Sequence, residues 1–71
     1  MNALVLRLRG DAAELAELAQ RLRGVAAALT DPPPWLSAAL TDHVRRCERA
    51  SGDLARAAQE LHRHAETSFL H

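Results

Sequence analysis

Apolar residues recur along the chain at alternating spacings of three and four. Between residues 11 and 29 they fall at Leu15, Leu18, Leu22, Val25 and Leu29, which is the seam of an amphipathic helix that packs against others. Ala12, Ala19 and Ala26 run beside it at intervals of seven, small enough to admit a neighbouring helix closely. A second seam reads Leu40, Val44, Cys47, Ser51, Leu54, Ala58, Leu61, Ala65, flanked by the small Ala50 and Ala57. The pattern predicts two helices, about 11–29 and about 37–66, within a single helical-hairpin domain spanning 1–71.

Between the seams stands Thr30-Asp31-Pro32-Pro33-Pro34. Three prolines cannot continue a helix, and a proline disfavours helical geometry in the residue before it. Residues 30–36 are therefore a turn, with Pro34 suited to the first turn of the next helix, where its missing N–H costs nothing. Ser51-Gly52 is a second turn signal, but the seam keeps its phase from Val44 through Leu54, which favours one continuous helix over a break. At the other end, Asp11 with Glu14 approximates a capping box after Gly10. Leu4, Leu6 and Leu8 alternate with Val5, Arg7 and Arg9, which favours an extended arm over 2–9, the alternative being a helix that starts earlier and runs through Gly10. The two helices would then be about 28 and 46 Å long.

The fold class expected is all-α: an antiparallel two-helix hairpin dimerising into a four-helix bundle. Size is the reason for the second chain. A hairpin of 71 residues buries too little surface to be robust alone, and the single cysteine, Cys47, permits no internal disulfide. Nine basic residues, all Arg, balance nine acidic ones, so the basic excess usual in nucleic-acid binders is missing. The apolar start is cut by Arg7 and Arg9, too short for a secretory signal or a membrane span. The partners expected are proteins, as homodimer or heterodimer with another helical hairpin. The seam leucines and valines, Leu15, Leu18, Leu22, Val25, Leu29, Leu40, Val44, Leu54 and Leu61, form the partner interface.

Candidate chemistry is sparse. His43 and Cys47 are four apart, a spacing that can bring two ligands to one metal. The alternative reading makes Cys47 a small seam residue and His43 its flank, and no metal or cofactor is assigned. His62, His64 and His71 with Arg63 suit the C-terminal end of a helix, where the dipole favours positive charge. No phosphate loop, nucleophile triad or paired-histidine metal motif is present, so the expectation is a non-enzyme. Trp35 has two readings: a plug over the open bundle end near Leu29 and Leu40, or an aromatic displayed for a partner.

Helix, turn with Trp35-Leu36-Ser37, then a longer helix rich in Ala, Leu and Arg resembles the WXG-motif proteins of type VII secretion systems in actinobacteria and related bacteria. Trp35 matches the motif, and Ser37 stands where that family has glycine. Leu-Arg-Gly-Asp-Ala-Ala-Glu-Leu at 8–15 and Leu-Ala-Arg-Ala-Ala-Gln-Glu-Leu at 54–61 add to the likeness, which spans essentially the whole chain. The resemblance implies a secretion substrate or its dimer partner. Many members carry a Tyr-x-x-x-Asp/Glu export signal after the second helix; this chain has no Tyr, and His62 with Glu66 keeps only the spacing and the acid. It implies release by a route without a signal peptide, with the signal supplied by a partner, or a cytoplasmic protein if the degenerate signal is not functional. The competing classes are a helical adaptor, antitoxin or regulatory subunit, and a metal-responsive helical repressor using His43 and Cys47.

Overall fold

The computed structural model describes residues 2–70, with side-chain surroundings through Ser68; His71 lies outside them. The described residues form two helices and no strand: α1, Ala3–Ala28, and α2, Pro34–Leu70. The helices pack against each other as a hairpin, giving a rod of 59 × 15 × 11 Å.

The arm over 2–9 does not form; α1 begins at Ala3 rather than near Asp11. Asn2 is its N-cap, with extended backbone and a side-chain Oδ1 that accepts from the Leu4 N–H at 2.7 Å. An Asn there satisfies one of the free N–H groups of the first turn. Gly10 lies inside the helix, at a cost of about 1 kcal/mol relative to Ala. Val5, 0% exposed, outweighs that: burying a valine contributes roughly 1.5–3 kcal/mol, and Val5 reaches α2 only if the helix continues through Gly10.

At its C-terminal end α1 stops where the prolines require, with Leu29 leaving helical geometry. Asp31 adopts φ 51°, the left-handed region that Asp and Asn tolerate better than most residues. The chain reverses there. Pro34 opens α2 as its lack of an N–H allows, and the Pro33 carbonyl accepts from the N–H groups of Leu36 and Ser37 at 3.0 and 3.2 Å. α2 then runs unbroken through Ser51-Gly52, as the constant phase of its seam required.

Ser51 has a definite task inside the helix. Its hydroxyl donates to the Ala12 carbonyl of α1 at 2.7 Å, in a partly buried setting. Such a contact needs two closely spaced backbones, and the small Ala12 and Ser51 permit it.

Candidate interaction surface

The seam between the helices is built from small residues. Val5, Ala12 and Ala19 of α1 are buried, as are Val44, Cys47 and Ala58 of α2. Ala19, Val44 and Cys47 form one cluster, with Leu15 and Leu22 packed against it. Of the leucine seam read from the sequence of α1, only Leu15 and Leu22 join this contact; Leu18, Val25 and Leu29 are exposed, Val25 by 50%. The alanine row that looked like a flank is the side that meets α2. A repeat missed in the sequence explains this: Val5, Ala12, Ala19 and Ala26 alternate with Leu8, Leu15, Leu22 and Leu29 at spacings of three and four. The two readings share one column of leucines, and spacing alone does not say which neighbouring column faces α2.

On α2 the seam stands largely as read. Val44 and Cys47 are buried, Leu40, Ser51, Leu54 and Leu61 are half-buried, and Ala65 is exposed.

The hairpin has two unlike faces. Along one edge of the seam Arg23 of α1 pairs with Glu48 of α2, and shallow grooves on that side are lined by Gln20, Thr41 and Arg45 as well. At about 100° per residue, Leu18 and Val25 lie most of the way around α1 from Arg23, on the opposite face. Ala50 and Ala57 are two and nine residues from Glu48 and so lie on the far side of α2. The far face carries exposed Leu4, Leu18, Val25 and Leu29 beside half-buried Ala50 and exposed Ala57.

Trp35 stands in the first turn of α2 and is 70% exposed. At that exposure it does not plug the hairpin end over Leu29 and Leu40. Ser37 is exposed two residues on. Four further ion pairs are local: Glu17 with Arg21 at 3.9 Å, Asp42 with Arg46 at 2.9 Å, Asp53 with Arg56 at 3.3 Å and Glu60 with Arg63 at 3.5 Å. Exposed pairs of this kind each contribute less than about 1 kcal/mol.

His62 and Glu66, the residues at the export-signal spacing, sit one turn apart with Nε2 3.0 Å from Oε1. Each holds the other along the helix surface. Cys47 is a free thiol buried in the seam, whereas His43, one turn before it, is exposed. Among the described residues no three His, Cys, Asp or Glu side chains are placed to hold a metal ion. No helix among them is long and apolar enough to cross a membrane.

In comparisons with known proteins, no family model, curated protein or solved structure matches the chain.

Proposed function

We propose that this chain is a non-enzymatic interaction protein whose hairpin docks, through one face, onto another helical hairpin. The observation that carries the reading is the apolar face on which Leu4, Leu18, Val25 and Leu29 stand exposed, opposite the edge closed by Arg23 and Glu48. Soluble monomers seldom leave several large apolar side chains uncovered along one face. Covering them with a second hairpin produces a four-helix bundle, the usual way for amphipathic helices to hide a wide apolar arc.

The proposed setting is type VII secretion, with the chain as a WXG-like substrate or the dimer partner of one. Trp35-Leu36-Ser37 between two amphipathic helices supports that choice. Exposure of Trp35 at the start of α2 suits an aromatic anchor for a partner.

Two measurements test it. Size-exclusion chromatography with light scattering, on the chain alone and with a hairpin protein encoded beside it, should show a complex twice the hairpin's mass. In a bacterium with a type VII system, the chain co-expressed with that partner should reach the medium, and deleting the system's ATPase should retain it in the cells. Release that persists without the ATPase overturns the secretion role; a chain that stays single in every mixture overturns the docking role.

A further inference from the structure

Resting on the docking reading just given, we infer that the occupant of the apolar face is a second copy of this chain, with α1 laid antiparallel on α1 in one register. The outward stripe of α1 begins at Leu4, ends at Leu29 and is interrupted by one charge, Asp11. Beside it runs a row at seven-residue spacing: Arg7, Glu14, Arg21 and Ala28, all exposed. In antiparallel packing of two helices, rows of this kind face each other across the rim of the apolar contact and select orientation and register.

Full overlap of two such stripes sets Leu4 against Leu29 of the second copy and Leu15 against its Leu18. The same register places Glu14 beside Arg21 of the second copy, and by symmetry Arg21 beside its Glu14. Both contacts are attractive. Asp11 then faces Leu22 of the second copy, next to that copy's Arg21, so the one charge in the stripe has a cation within reach. Sliding by one heptad in one direction puts Glu14 against Glu14 and Arg7 against Arg21. Sliding the other way puts Arg21 against Arg21. Either slip also leaves two turns of stripe uncovered. A parallel arrangement would aim the charged row at Ala12 and Ala19, which α2 already covers.

The second helix agrees with this axis. The Ser51–Ala12 hydrogen bond and the cluster of Ala19 with Cys47 put the midpoint of the α1 stripe level with a point near residue 47. Antiparallel contact of α2 with α2 about that level sets Leu36 opposite Ala57 of the second copy and Ala39 opposite its Leu54. Each of these large side chains meets a small one, the arrangement close packing favours; Arg46, on the same row as Ala39, comes beside Arg46 of the second copy with its charge offset by the Asp42 pair at 2.9 Å.

Charge exchange on the intact chain tests the register. Glu14→Arg and Arg21→Glu should each weaken self-association about tenfold, since each turns two attractive contacts into two repulsive ones. An equimolar mixture of the two variants should form a heterodimer as tight as the wild-type dimer, because every row contact is then attractive again. Glu60→Arg makes the same charge change on α2, away from the row and its neighbours, and should leave the dissociation constant within about twofold. Sedimentation equilibrium gives the constants, and native mass spectrometry of differently tagged variants identifies the heterodimer. A wild-type chain that stays monomeric alone yet binds a different hairpin overturns the homodimer and leaves the docking reading standing. A dimer indifferent to both exchanges, or a mixture that forms no heterodimer, overturns the register. A chain that binds neither itself nor another hairpin overturns inference and reading together.

Discussion

α1 buries alanines against α2 and leaves several leucines exposed. On the side facing α2 are Val5, Ala12 and Ala19, all buried; on the flank, about a quarter turn around the helix, are Leu4, Leu18, Val25 and Leu29, all exposed. Burial alone would favour the reverse, because a leucine gains more than an alanine from leaving water. Closeness explains the difference. Alanines let the backbones approach until Ser51 can bond the Ala12 carbonyl, and the leucines beside that contact stay uncovered. One helix thus has a covered apolar side and an uncovered one, with Leu15 and Leu22 on the boundary between them.

The strongest way to break this division is to charge the boundary. Leu22→Asp in α1, or Leu54→Asp in α2, should cost several kcal/mol by placing an unpaired carboxylate in the packed stripe. Loss of most helical circular dichroism together with loss of association is expected; a variant still fully helical and associated would count against the bundle. Next comes Ala19→Leu, which tests closeness directly. With Ala19 2% exposed, added methylenes have nowhere to go, and urea titration at fixed protein concentration should register a loss of about 1–3 kcal/mol. Ser51→Ala deletes the cross-helix hydrogen bond and should cost about 1 kcal/mol in the same titration. Gly10→Ala should act in the other direction. Nothing lies within 4 Å of the added methyl position, so helix propensity alone predicts a gain of about 0.5–1 kcal/mol, seen as a raised melting temperature. Smallest of all is Arg23→Ala at the polar edge. Its partner Glu48 is half exposed, so less than about 1 kcal/mol should be lost, and self-association should not change because this edge faces away from the proposed contact.

The sequence made the hairpin and most of α2 legible because those features depend on local chemistry. Three prolines stop a helix wherever they stand, and the phase carried through Ser51-Gly52 outweighed one glycine. The start of α1 was misread because Gly10-Asp11 imitates a helix beginning and Leu4, Leu6 and Leu8 imitate a strand. What decides there is Val5, whose burial depends on α2, some fifty residues farther along the chain. The face of α1 that meets α2 was hidden for a related reason. Leucine spacing identifies an apolar arc, but the choice of side within it comes from how closely alanines allow two backbones to approach. Trp35, expected in the turn, stands inside the first turn of α2, and its exposure was not legible from spacing, which allowed both a covered and a displayed indole.

The unequal lengths of the helices carry one more consequence. α1 has 26 residues, about 39 Å at 1.5 Å per residue, while the rod is 59 Å long. The last turns of α2 therefore extend beyond Ala3 with no neighbour from α1. The paired part of α2 supplies the nucleus that an isolated peptide of that length would lack, so this extension forms by propagation alone. Its backbone ladder is supplemented by bonds along its own surface, His62 to Glu66 and the Thr67 hydroxyl to the Arg63 carbonyl. On warming it should unwind turn by turn, farthest from Ala3 first, well before the paired segment melts in a single cooperative step.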